Sequence, residues 1–122
     1  MSIWTQDYAP IPGSTDAAAM HARAITDRHK PGYAAQADTI VRGMFEVGLA
    51  HTGHDSNLNL ITTADRDWIR FELHYPNDLP NEVDPPTAHA TISRLASAYG
   101  EGPTGGGRMI YAELGFERAA TA

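Results

Sequence analysis

Apolar and polar positions change their period several times along this chain. Ile69, Phe71, Leu73 and Tyr75 alternate with Trp68, Arg70, Glu72 and His74. A period of two puts one set on each face of a strand, so this stretch is predicted as a half-buried strand. Just before it, Leu58, Leu60 and Thr62 alternate with Asn57, Asn59 and Ile61. The link Ala64-Asp65-Arg66-Asp67 is short enough to make the two strands a hairpin. Earlier still the period changes. Ile40, Val41, Met44, Phe45, Val47 and Gly48 recur at three- and four-residue spacings, which predicts a helix over residues 34–51 with a broad apolar face. Thr52-Gly53 ends it.

Four further elements follow from weaker signals. Residues 2–9 read as a short strand closed by Pro10 and Pro12-Gly13. Ser14 or Thr15 is placed to cap a helix over residues 16–29, and Ala17-Ala18-Ala19-Met20 gives that helix strong propensity. Lys30-Pro31-Gly32 stops it. A third helix is expected over residues 87–99, with Ile92, Leu95, Ala96 and Tyr99 on one face. Residues 100–107 are glycine-rich and lead into a last strand at residues 108–114, with a frayed tail beyond. Residues 76–86 form a proline- and acid-rich loop, long for a compact domain. Such loops often act as lids or partner-binding segments.

This order predicts one domain over residues 1–122, an α+β two-layer sandwich. Three helices would cover one face of a mostly antiparallel sheet. The 122 residues suffice for one hydrophobic core, and 42% hydrophobic with 20% charged residues is ordinary for a globular protein. The net charge of −6 and the absence of any basic run exclude nucleic acid as the main ligand. There are no cysteines, which removes disulfides, thiolate metal sites and thiol nucleophiles. The first residues carry no basic segment followed by an apolar run, and no stretch is long and apolar enough to span a membrane. A cytoplasmic protein is therefore expected.

Two segments carry a resemblance to a known family. The stretch Ala37-Asp38-Thr39-Ile40-Val41-Arg42-Gly43-Met44-Phe45-Glu46-Val47-Gly48-Leu49-Ala50-His51-Thr52-Gly53 resembles the helix of anti-sigma-type GHKL (Bergerat-fold) proteins that reads roughly ELVTNAVRHTG. Residues 92–100, followed by Pro103-Thr104-Gly105-Gly106-Gly107-Arg108-Met109-Ile110-Tyr111-Ala112-Glu113-Leu114, resemble the C-terminal helix and GGGKTVWAEL-like last strand of that family. Between them, residues 68–75 fit the strand that enters the adenine-binding DxGxG box. The chain thus resembles the small anti-sigma-factor kinases of actinobacteria.

The resemblance also implies a loss. The family's general-base Glu falls on Gly43 and its magnesium-binding Asn on Val47. Neither side chain can do that work, and magnesium demands oxygen ligands in a tight octahedron. Glu46 lies one residue from the Asn position, a rotation of about 100° round the helix. His51 matches the family's terminal His. The adenine-binding Asp falls on Tyr75, the following glycines on Asn77 and Leu79, and the phosphate-cradling turn near Pro86 and Ala88. The adenine-side Thr falls on Met109. Each lost charge-assisted bond costs about 1.5–3 kcal/mol, so Mg-ATP binding is expected to be gone, with no cofactor in its place. The former nucleotide pocket, marked by Glu46, Val47, His51, Tyr75 and Met109, is expected to be either plugged or apolar. The leading expectation is a non-catalytic regulatory domain that binds a protein partner of the sigma-factor or anti-anti-sigma type. The alternative is a pocket reused to bind or transform an apolar small molecule. Trp4 makes the first strand a candidate edge for a homodimer.

Other donor groupings rank lower. His51, His54 and Asp55 have metal-ligand types, but a helix C-terminus favours His without any metal. His74 and Glu72 share a strand face and could pair as acid and base, but they are read as a solvated outer strand face. His89, Ser93 and Ser97 are spaced by four on the expected third helix and are read as surface. Gly105-Gly106-Gly107 lacks a following Lys-Ser/Thr and is read as a turn.

Overall fold

The computed structural model describes residues 1–116. Its elements are β1 (Ser2–Tyr8), α1 (Gly13–His29), a short 3₁₀ turn (Pro31–Tyr33), α2 (Ala34–Ala50), β2 (Leu58–Ala64), β3 (Trp68–Tyr75), α3 (Ala88–Leu95), β4 (Ala98–Thr104) and β5 (Gly107–Gly115). The strands form one five-stranded sheet in the order β1-β2-β3-β5-β4, every pair antiparallel. The chain is therefore the expected α+β two-layer sandwich with three helices.

The period-two patterns place the core. Leu58, Leu60, Ile69, Phe71, Leu73, Tyr75, Ile110, Ala112 and Leu114 are buried, and they meet Ala22, Ile25, Ile40, Val41, Met44, Phe45 and Val47 from the helices. Tyr8 packs edge-on against Phe45, with ring centroids 5.3 Å apart. The opposite face of the sheet carries a polar network. Arg70 pairs with Glu72 at 3.1 Å and Glu113 at 3.4 Å, and lies over the Tyr111 ring at 4.1 Å. His74 reaches Glu72 at 3.3 Å on that same face, so this pair belongs to the outer sheet surface.

Three local expectations change. Helix α1 starts at Gly13 behind Pro12, with no side-chain cap. Ser14 is buried in the first turn, whose amides bond instead to the Ile11 and Pro12 carbonyls. Helix α3 ends at Leu95, four residues early, because Ala96 turns to an extended conformation and Ser97 N–H donates to Glu113 O at 2.7 Å. The glycine-rich stretch then forms β4, paired with β5 from Ala98↔Glu113 to Thr104↔Gly107. An edge strand tolerates Pro103, since an edge position can do without one ladder amide. Trp4 on β1 is half-buried, with an edge-on contact to the His29 ring at 6.1 Å. Of the expected tail over residues 115–122, Gly115 instead ends β5 and Phe116 is buried in the core, its amide bonded to Asp67 O at 2.8 Å; residues 117–122 lie outside the described residues. Among these residues no helix is long and apolar enough to cross a membrane.

Candidate functional site

The site is assembled where α2 ends, β3 ends and the long loop returns. His51 caps α2, its amide bonded to Gly48 O at 3.2 Å. Here the loop is pinned from both directions. His51 Nδ1 donates to Leu79 O at 2.8 Å, and Leu79 N–H donates to His51 O at 3.0 Å. Gly53 N–H adds a bond to the Asp78 carboxylate at 3.0 Å. The loop can double back this sharply because Asn77 takes a left-handed conformation, φ 57°, which Asn tolerates better than most residues.

The centre of the loop's anchorage is Asp84. One carboxylate oxygen accepts from His51 Nε2 at 2.5 Å, and the other from His89 Nε2 at 2.5 Å. His89, in the first turn of α3, is held at its far nitrogen Nδ1 by the Tyr99 hydroxyl of β4. Four segments of chain thus meet through one carboxylate. The protonation pattern follows from the partners. A carbonyl oxygen and an ionised carboxylate only accept, so both His51 nitrogens carry hydrogen and the ring is an imidazolium. Burial works to lower the His51 pKa, but the Asp84 and Leu79 bonds and the Asp84 charge together raise it above the ordinary imidazole value. Burial likewise pushes the Asp84 carboxyl up, while the bonds and charges of His89 and His51 pull it below the ordinary carboxylate range. His89 Nε2 donates to the Asp84 carboxylate, and its Nδ1 pairs with the Tyr99 hydroxyl, which can serve as donor or acceptor.

Beside this relay lies an open cavity of about 400 Å³. The sheet contributes Tyr75, Glu101 and Arg108 to it, the loop contributes Asn77, Pro80, Glu82 and Asp84, and α2 contributes His51. Tyr75 stacks on His51, with centroids 6.0 Å apart and planes 20° from parallel. Burial raises the Tyr75 hydroxyl pKa, opposed by the neighbouring Arg108 guanidinium.

The five residues used to mark the former pocket do not stay together. His51 and Tyr75 line the cavity. Glu46 is exposed on α2, and Val47 is fully buried in the core. Met109 sits opposite His74 in the β3–β5 register, on the outer sheet face. Strand alternation explains the difference: Arg108, opposite Tyr75, shares the core-facing parity of Ile110, Ala112 and Leu114. The cavity is therefore neither plugged by Val47, Tyr75 and Met109 nor apolar. Charged and polar side chains dominate its lining.

Of the other donors, His54 and Asp55 are exposed and stand apart from the cavity. His89, read as surface, is instead part of the relay, and Ser97 lies beyond α3 with its hydroxyl accepting from Gly115 N–H. Asp84 stands in no motif or periodic pattern of the sequence. It lies 33 positions from His51 and 5 from His89, and no local period links them. Its one local signal was an acid inside a long proline-rich loop. Among the described residues, the one group of three or more His, Asp or Glu side chains able to converge on a metal ion is Asp84, His89 and Glu101. Compared with known proteins, the chain matches no protein-family model and no curated protein.

Proposed function

We propose that this chain is a regulatory domain on a GHKL-type frame that has given up Mg-ATP and binds a small polar ligand in the cleft beneath its 76–87 loop. The observation that carries this reading is Arg108. Its guanidinium lines the cavity beside Tyr75 and makes none of the ion pairs found among the described residues. An arginine with no carboxylate of its own, beside the His51 imidazolium and Asn77, suits an anionic group on a ligand. Glu82 and Glu101 on the same cavity suit a cationic or hydroxyl group at its other end. The volume falls in the usual range for small-molecule sites. The polar lining argues for a charged metabolite rather than an apolar one.

The order of elements, α2–β3–loop–α3, is the order that the resemblance implies for a nucleotide site. The residues at its chemical positions argue against ATP. The test is a thermal-shift titration with ATP and ADP, with and without Mg²⁺, followed by small carboxylates, amino acids and phosphorylated sugars. Nucleotides should give no shift. A charged metabolite at 100 times its dissociation constant should add about 2.7 kcal/mol of stability, and Arg108→Ala should abolish that gain. A magnesium-dependent ATP shift would overturn the reading.

A protein partner is the second reading, favoured by the outside of the same loop. Val83 is 85% exposed and Leu79 43% exposed. Leu79 also borders a hollow of about 470 Å³ with Pro10, Pro12 and Leu49. A loop whose conformation responds to the cavity and which displays apolar side chains outward could pass ligand binding on to a partner of the sigma-factor or anti-anti-sigma type.

A further inference from the structure

We infer that Asp84, His89 and Glu101 hold one divalent transition-metal ion of the zinc class at the wall of the cavity. Their ligand atoms all lie within 4.8 Å of one another. They arrive from the loop, from α3 and from β4, so no single segment creates the grouping by chance of sequence proximity. Zinc bonds nitrogen and oxygen at about 2.0–2.2 Å, which sets donors round one tetrahedral ion on the order of 3.3 Å apart. The exposed Glu101 side chain can swing in over that difference. Asp84 and His89, now directly bonded, need part by less than about 1 Å.

The inner donors are already oriented from behind. His89 is held at Nδ1 by Tyr99, which leaves Nε2 to face the carboxylates. Asp84 is held at one oxygen by His51, and His51 in turn by the Leu79 carbonyl. Outer partners that fix ring and carboxylate in this way accompany metal ligands and raise their affinity. With Nε2 on the metal, the His89 Nδ1–H would donate to the Tyr99 oxygen, so both ring nitrogens would keep a partner.

Asp84 and Glu101 both line the open cavity. Three protein donors with a fourth position open to a cavity is the pattern of zinc sites that keep water or a ligand on the metal. The charges agree. Two carboxylates in the set, with Glu82 on the same cavity, face the opposing charges of Arg108 and His51. One imidazole beside two carboxylates selects a borderline ion over magnesium or calcium, which prefer oxygen alone. The site does not depend on the organic ligand proposed above, and its test contains none.

The test is a titration of the full chain, stripped with chelator, with Co²⁺ followed by visible absorption and with Zn²⁺ followed by calorimetry. One ion per chain is expected, with the intense absorption of low-coordinate Co²⁺. Asp84→Asn, His89→Gln and Glu101→Gln should each weaken binding at least about tenfold, and Tyr99→Phe by a smaller factor. His54→Gln, at an exposed imidazole, should change nothing. Glu101 is exposed, so its variant keeps the fold and the test stands even if the other two unfold. No binding at millimolar Co²⁺ would overturn the proposal. So would full binding in Glu101→Gln, or a loss confined to His54→Gln.

Discussion

Gly43 of α2 packs directly against Ile92 of α3: a Cβ on the glycine would lie 3.0 Å from Ile92 Cγ1 and 3.5 Å from the Ala88 carbonyl oxygen. The place where the resemblance puts a general base is thus occupied by a helix–helix contact. One turn along, Val47 is fully buried. Placing the resembled family's Glu and Asn at these two positions should therefore fail to confer nucleotide binding. Val47→Asn alone should cost about 2–4 kcal/mol, combining lost apolar burial with an amide lacking partners. Gly43→Glu should add to the loss by forcing α3 away. Urea unfolding and a Mg-ATP thermal shift on the double variant measure both effects. A double variant with an unchanged midpoint and magnesium-dependent ATP binding would show that the helix contact is not what excludes the nucleotide.

Asp84→Ala should release the loop without unfolding the sheet. The substitution removes two charge-assisted bonds at once, from His51 and from His89. Asp84 remains about a quarter exposed, so solvent offsets part of the loss, and about 1–3 kcal/mol is expected. The effect should be local. Amide hydrogen exchange should rise over residues 76–87 and hardly change in β2 and β3. Equal protection in the loop of variant and wild type would show that the two His51–Leu79 bonds, one from the imidazole and one between backbones, hold it alone.

The legibility of this molecule in its sequence divides along a physical line. Elements that bury a face write their period into the chain, so α2, β2 and β3 could be placed within a residue or two. Strand β4 buries little and is built from Gly100, Gly102 and Pro103. Beyond Tyr99 and Thr104 its composition disfavours a strand, and it exists because β5 offers an open edge. The Arg108–Met109 choice turned on alternation: an offset of a single residue on β5 moves a side chain through the sheet. His51 and Tyr75 were legible through the motif they stand in. Asp84 and His89 were not, because their relation is made by the loop's return and not by any spacing.

Gly107→Ala should be far more damaging than the same change next door. A Cβ on Gly107 would lie 2.1 Å from the Tyr75 carbonyl oxygen and 2.7 Å from Pro76 Cα, while one on Gly106 would meet nothing within 4 Å. Both obstacles are backbone at the end of β3, opposite the start of β5, and cannot rotate aside. Gly107→Ala should lose about 2 kcal/mol or more through forced separation of the strands. Gly106→Ala should stay within about 0.5 kcal/mol of wild type. Urea midpoints of the two variants decide it. Because Tyr75 and Arg108 sit at this junction, Gly107→Ala should also weaken any ligand that binds at Arg108.

His21 makes stability fall on mild acidification. Its Nε2 is buried on α1 with no hydrogen-bond partner. Burial first, and the charge of Arg28 second, lower its pKa below the ordinary imidazole value. A depressed folded pKa means that the unfolded chain takes up the proton first. The stability linked to His21 is therefore fully present above the unfolded value of about 6.5 and is lost as pH falls through the folded pKa. Asp38 adds a second loss at lower pH. Burial opposes it, but the bonds and charges of Arg42 and Arg23 hold its pKa down, so its contribution is present above about 3.9 and disappears below. The raised pKa of His51 acts in the opposite direction, so the total curve near neutrality mixes two histidines. Subtracting the profile of His21→Asn from that of wild type removes His51 and Asp38 together. The difference should be flat from about pH 8 to 7 and should shift against wild type as pH drops below about 6.5. A difference that stays flat throughout would mean that His21 finds water in the folded state and carries no linkage.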